Sequence, residues 1–177
     1  MGKYVKTLSK SSLWGVDLLI FVTLGTQDKP FPRLLEKIEN EIKCGNIKEK
    51  VIVQAGHTKF ESEYMQILGM LTMEEYQQYM KECDLLITHG GVGSIFDALK
   101  LGKKIIACPR LKKYNEHLND HQIQLIEAFQ EKGYLLAYNE NNLLSDVLNE
   151  SKKKKPIHYK TNNHKMVKII TDFIENN

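Results

Sequence analysis

Leu85-Leu86-Ile87-Thr88, then His89-Gly90-Gly91-Val92-Gly93-Ser94, then Ile95 to Leu101 closed by Gly102, then Lys104-Ile105-Ile106-Ala107-Cys108 ending at Pro109, is the stretch that decides the fold. A short apolar run, a glycine loop, an apolar segment of helical length with a glycine stop and a second apolar run read as strand, loop, helix and strand. Neither run alternates with polar residues, which is how strands covered on both faces of a parallel sheet look.

The same alternation extends in both directions. Upstream, Leu18-Leu19-Ile20-Phe21-Val22 ended by Gly25 predicts a buried strand. Leu34, Leu35, Ile38 and Ile42 then predict a helix over 30–43, with Pro30 or Pro32 in its first turn. Val51-Ile52-Val53-Gln54 and Met65-Gln66-Ile67-Leu68 are two more short strands, and Thr72-Met73-Glu74-Glu75 is a capping-box start for a helix reaching about Cys83. Downstream, 109–118 reads as a polar loop, 119–131 as a helix, 134–138 as a strand, 141–150 as a helix and 162–175 as a final helix. Strands alternating with helices predict an α/β fold, a single Rossmann-like, doubly wound parallel sheet whose ligands meet the carboxyl ends of the strands.

The chain has 177 residues, enough for one domain. The segmentation expected is an N-terminal extension over 1–18, an α/β domain over 19–151, and a basic linker with an amphipathic helix over 152–177. The net charge is +3, and residues 152–177 hold seven lysines against two acidic residues, so the body is slightly acidic. That is not the charge distribution of a nucleic-acid-binding face. Cys44, Cys83 and Cys108 are an odd number without C-x-x-C spacing, which suggests neither a disulfide framework nor a zinc site and fits a reducing cytoplasm. The longest apolar stretch, Leu13 to Leu24, contains Asp17 and falls well short of the ~20 residues that cross a bilayer. No small-x-small cleavage site follows it, so the chain is expected to be unprocessed.

Several residues invite chemistry. The 89–94 loop opens a helix, so its backbone N–H groups suit a diphosphate, although a tight packing turn reads equally well. It is neither a dinucleotide fingerprint, since Phe96 stands where the third glycine belongs, nor a Walker loop. Asp97 suits either ribose hydroxyls or the helix dipole. Gly25-Thr26-Gln27 closes a strand at the same sheet edge. His117 and His121 are four apart and could share a helix face as metal ligands, but no third partner is recognisable, and no metal is expected. Asn119-Asp120-His121-Gln122 is rich in groups that bond sugar hydroxyls and equally reads as a polar helix cap. His57 and His89 lie at strand ends, where a general base would be useful. Cys83 and Cys108 read as small buried hydrophobes.

Taken in order, Phe21-Val22-Thr23-Leu24-Gly25-Thr26-Gln27, Cys83 to Ser94 and Asn119-Asp120-His121-Gln122 resemble the donor-binding half of B-type inverting glycosyltransferases. More specifically, the chain resembles the small catalytic subunits of two-part enzymes, the PssE-type subunit of capsule and exopolysaccharide synthesis and its relative in dolichol-linked N-acetylglucosamine transfer. The same half occurs in lipid II synthase. The resemblance runs from about Leu19 to Ala137. It implies that Gly25, Thr26 and Gln27, together with His89, Gly90, Gly91, Gly93 and Ser94, face the diphosphate of a UDP-sugar. Asp97, where the family usually has Glu, takes the ribose, Met70 and Leu71 hold the uracil, and Asn119, Asp120, His121 and Gln122 read the sugar. No cofactor or metal is implied, and the chain has no Asp-x-Asp pair. The base is unidentified, with His57 and His89 as candidates by location.

The resemblance further implies a hexosyltransferase that works with a membrane-anchored acceptor-binding subunit on a lipid-linked saccharide acceptor, peripheral to the inner membrane face. The expected docking element is the final helix, with Met166, Val167, Ile169, Ile170, Phe173 and Ile174, and packing on its own domain reads equally well. Lys152 to Lys155 suit anionic headgroups or a solvated linker. A nucleotide-sugar epimerase has a similar loop but needs two fused domains, longer than this chain. A non-catalytic nucleotide-sugar-binding regulatory subunit shares every binding residue.

Overall fold

The computed structural model describes residues 18–157 and Thr171. Six strands form one parallel sheet: β1 (Leu19–Thr23), β2 (Lys50–Gln54), β3 (Gln66–Leu68), β4 (Leu85–Thr88), β5 (Lys104–Ala107) and β6 (Leu136–Ala137). Their order is β3-β2-β1-β4-β5-β6. Between them run α1 (Pro32–Lys43), α2 (Met73–Glu82), α3 (Val92–Lys100) and α4 (His121–Glu131), and α5 (Leu144–Lys153) follows β6. This is the doubly wound arrangement expected from the alternation of strands and helices.

The apolar strands divide by pleat into two cores. Val22, Val53, Ile87 and Ile106 point to one face, where Leu34, Leu35 and Ile38 of α1 and Val147 and Leu148 of α5 cover them. Phe21, Ile52, Leu86 and Ile105 point to the other, under Met80 of α2, Ile95 and Leu99 of α3, and Ile126 and Phe129 of α4. Burying both faces removes the need for polar alternation, hence the uninterrupted apolar runs. At about 25 cal/mol per Å² of apolar surface, each of these side chains contributes about 1.5–3 kcal/mol, an upper bound against a compact unfolded chain.

Local signals hold where their chemistry is self-contained. The Thr72 hydroxyl accepts from the Glu75 amide at 3.2 Å and the Glu75 carboxylate accepts from the Thr72 amide at 2.8 Å, the full capping box. Pro32, rather than Pro30, opens α1. Boundaries move where turns decide. α3 begins at Val92, three residues before the expected Ile95, because Gly90 at φ +88° makes the turn alone and frees Gly93 and Ser94 for the helix. α5 begins at Leu144 because Asn139 and Asn142 bond each other's segment and the Ala137 carbonyl instead. It runs through Lys153, so Lys152 and Lys153 belong to the last helical turn rather than to a linker. β6 is a two-residue ladder rather than 134–138. The expected helix over 162–175 and the extension over 1–17 lie outside the described residues. Among the described residues, no helix is long and apolar enough to cross a membrane.

Candidate functional site

Because every strand runs parallel, all six carboxyl ends lie on one edge of the sheet. Gly25 to Gln27 follow β1, Gly56 and His57 follow β2, Met70 and Leu71 follow β3, and His89 to Gly91 follow β4. The loop from β5 passes through Arg110 to Asn119 and enters α4. β1 and β4 are neighbours, yet β1 feeds α1 on one face and β4 feeds α3 on the other. Their connections therefore part and leave a crevice, the topological switch point at which open α/β sheets take ligands.

The two loops that border this crevice are tied together by His89. Its Nδ1 lies 3.3 Å from the Thr23 carbonyl, which can only accept, so that bond requires the proton on Nδ1. The ring fills the space between two glycines. A Cβ on Gly25 would come within 2.6 Å of its Cε1, and a Cβ on Gly91 within 2.5 Å of its Nε2. Burial, with the Arg110 charge adding to it, pushes the His89 pKa down to about 4. The imidazole is accordingly neutral near pH 7 and a weak base.

Gly25 is also set from below. The Gln54 side chain accepts from the Thr23 hydroxyl and donates to the Gly25 carbonyl at 3.2 Å. Gly25 sits at φ +79°, a conformation that a side chain would strain.

Gly91 caps α3 in extended conformation and, having no side chain, makes no side-chain capping hydrogen bond to it. First-turn amides have no partner within their own helix, so those of Val92, Gly93 and Ser94 are available to an anion at the positive end of the helix. A Cβ on Gly93 would meet no neighbouring atom within 4 Å beyond its own helix backbone. Asp97 is the sixth residue of α3 and so lies on its second turn, beyond the first turn in which a carboxylate favours the helix dipole, so that alternative does not hold. Ser94 is bonded by the Tyr76 hydroxyl of α2, whose pKa is raised by burial, with Asp97 adding to the rise. Tyr76 went unnoticed in the sequence because its apolar ring reads as core.

The remaining expected residues are spread along the same edge. Met70 is exposed and Leu71 half-buried at the end of β3, next to the start of α2. His57 is exposed beyond β2. At the start of α4, Asp120 accepts from the Lys112 amide at 2.8 Å, Gln122 accepts from the Arg110 amide at 3.0 Å, and Asn119 accepts from the His121 amide at 3.4 Å. These side chains thus shape the 110–121 loop with atoms that a sugar would otherwise use. His117 precedes α4, and its Nδ1 accepts from the Asn119 amide, so His117 and His121 do not share a helix face. Among the described residues, no group of three His, Cys, Asp or Glu is placed to hold a metal ion.

Under this edge lies a cluster absent from the sequence reading, in the segment read only as a polar loop. Arg33 of α1 forms a forked pair with Glu116, at 2.9 and 2.8 Å, and donates to the Pro109 carbonyl at 2.9 Å. Glu116, 2% exposed, also accepts from the Leu111 amide. Beside it Arg110 is 1% exposed and donates to the carbonyls of Leu24, Lys29 and Glu116. A cation directly after an apolar strand at the ligand edge is a signal that could have singled out Arg110.

Cys83 and Cys108 are buried, their thiols pushed up to about 12 mainly by desolvation, which makes them inert core residues as expected. A cavity of about 310 Å³ opens at the opposite, amino-terminal edge, between Leu19, Ile47, Leu85 and Lys104, and none of the expected site residues lines it.

The model of the glycosyltransferase family 28 C-terminal domain matches residues 19–176, farther than the Leu19–Ala137 stretch that carries the motifs. The chain is 29% identical over 136 residues to the UDP-N-acetylglucosamine transferase subunit ALG13 of Saccharomyces cerevisiae, covering 73% of this chain and 61% of that one. It is 29% identical over 104 residues to the UDP-N-acetylglucosamine--N-acetylmuramyl-(pentapeptide) pyrophosphoryl-undecaprenol N-acetylglucosamine transferase of Clostridium botulinum, covering 59% of this chain and 26% of that protein. The chain therefore spans about three fifths of the yeast relative's length and about a quarter of the clostridial one's. Among solved structures, the NMR structure of ALG13 superposes with a TM-score of 0.55 at 22% identity, covering 87% of this chain and 94% of that one, which is a likeness of fold.

Proposed function

Because the chain belongs to the family of the glycosyltransferase family 28 C-terminal domain, we propose that it is the donor-binding, catalytic subunit of an inverting glycosyltransferase that moves a hexosyl group from a UDP-sugar to a lipid-linked acceptor. The observation that carries the reading is the switch point between β1 and β4, where the Gly25 turn and the start of α3, which has no side-chain cap, lie on one edge of the sheet.

In this reading the diphosphate lies across the amides of Val92, Gly93 and Ser94, with the Gly25–Gln27 turn opposite. The ribose reaches Asp97, the uracil rests near Met70 and Leu71, and the sugar faces Asn119 to Gln122. An acceptor hydroxyl oxygen bonds to the anomeric carbon from the face opposite the diphosphate. The bond from that carbon to the diphosphate oxygen breaks, and UDP leaves with its electron pair. The α3 amides, already aimed at this charge, stabilise it without reorganising. The acceptor proton must pass to a base. Neutral His89, with its pKa near 4 and its ring enclosed, is poorly suited, whereas exposed His57 or a partner's side chain is better placed.

The two relatives are UDP-N-acetylglucosamine transferases, which puts that sugar nucleotide first among donors to test, and the yeast relative's being a subunit supports a partner. In our reading that partner is membrane-anchored, holds the acceptor and keeps this chain at the inner membrane face, serving capsule, exopolysaccharide or a related glycan.

Calorimetric titration with UDP in buffer containing a chelator should show saturable binding to the chain alone, and strict dependence on added magnesium would refute the amide-based site. Transfer from a UDP-sugar, assayed with the co-expressed partner, separates the enzyme from a regulatory subunit that only binds the nucleotide sugar.

A further inference from the structure

Arg110 is the one described side chain that keeps a buried nitrogen or oxygen, its Nε, without a hydrogen-bond partner. Its guanidinium lies 5.0 Å from the centre of the Phe31 ring, and all its hydrogen bonds among the described residues go to main-chain carbonyls. Burial lowers its pKa to about 10, against the pull of Glu116 and Asp28, so it stays charged. The nearest buried carboxylate, Glu116, is already committed to Arg33 and the Leu111 amide. A buried cation with an orphaned donor is an expensive way to hold a loop, and an apolar side chain of similar volume often serves stability as well or better.

What Arg110 does hold is specific. One terminal nitrogen bonds the Leu24 carbonyl at 2.6 Å and the other the Lys29 carbonyl at 2.7 Å, the two ends of the Gly25–Asp28 turn. Its own amide is received by Gln122 at the start of α4. Its charge also acts on His89, which packs against Gly25 and Gly91. Three walls of the crevice, contributed by different parts of the chain, thus meet at one residue.

We propose that Arg110 is a positioning residue of the donor site: it sets the turn after β1 against the start of α4, so that the diphosphate is gripped from the side opposite α3. This rests on the nucleotide-sugar reading above and adds a residue to it. The planar fork can span two carbonyls at fixed separation and a lysine cannot, so charge alone does not replace it. The uracil and ribose contacts belong to β3 and α3, away from Arg110, and the effect is therefore confined to the diphosphate.

The test compares UDP with uridine. In Arg110→Lys, affinity for UDP should fall about tenfold or more while affinity for uridine, followed by NMR titration, stays within about twofold. Loss of general stability would weaken both ligands alike. In the unaltered protein, the Arg110 Nε–H resonance should shift on saturation with UDP and stay in place with uridine, a readout independent of whether the variant folds. An unchanged UDP-to-uridine affinity ratio in a folded Lys variant, or an Nε–H signal indifferent to UDP, overturns the proposal. An unaltered protein that binds UDP no better than uridine overturns the nucleotide-sugar reading itself.

Discussion

Replacing Gly91 with alanine tests whether the glycine serves His89 or only the turn. Its φ of −65° is ordinary for alanine, so backbone strain is not at issue. The obstacle is the His89 ring, whose Nε2 would lie 2.5 Å from the new Cβ, about 1 Å inside normal contact. The ring has nowhere to go, because Gly25 packs on it from the other loop and Nδ1 is held by the Thr23 carbonyl. Overpacking of this kind costs about 1–3 kcal/mol, and losing glycine at a helix cap adds about half a kcal/mol more. Gly91→Ala should then be less stable by about 2 kcal/mol, which for a protein of this size lowers Tm by about 4–8 °C. In a His89→Ala background the space is open, and the same substitution should cost only the cap contribution. Urea unfolding of the four proteins of this cycle gives the coupling directly, expected at about 1.5 kcal/mol. Equal costs in the two backgrounds, within about 0.5 kcal/mol, would mean that the ring does not constrain Gly91.

Gly93→Ala, by contrast, meets no atom and favours the helix, so stability should hold or rise slightly while UDP affinity falls at least tenfold; unaltered affinity by calorimetry would remove the α3 amides from the site. Asp97→Ala should weaken UDP more than methyl diphosphate, and equal losses would take the carboxylate off the ribose. The depressed His89 pKa means that the unfolded chain binds a proton which the folded one does not, so this contribution is whole above about pH 6.5 and is lost as pH falls toward 4. Between pH 7 and 4.5 the loss is about 2.5 kcal/mol, and His89→Gln should flatten the pH dependence by that amount in urea titrations. Glu116→Gln leaves Arg33 short of its counter-charge and should cost about 3 kcal/mol, and a loss under about 0.5 would make the pair dispensable.

The sheet was readable from sequence because its strands are short apolar runs punctuated by glycine or proline, signals that stay within ten residues. The capping box at Thr72 and Glu75 was readable for the same reason. The glycine loop, the Gly25 turn and the α4 start were legible as candidates, and the topology places all of them on one edge. What escaped depends on distance. Arg33 and Glu116 are 83 positions apart and acquire meaning only once α1 lies beside the loop from β5. Tyr76 meets Ser94 only when α2 packs by α3. The starts of α3 and α5 shifted because glycines and asparagines do not announce which of them makes the turn.

The outer strands carry a further consequence. Among the described residues, β3 has three and β6 two, so the sheet offers only a few open backbone groups at either margin. An incoming strand would find too short a ladder to bind stably by extending the sheet, and the protein is shielded from sticking to copies of itself in that way. Assembly through the described residues is then built on side chains, at helix faces and the loops at the strand ends. Such contacts can differ between partners, whereas a backbone ladder would accept almost any extended chain.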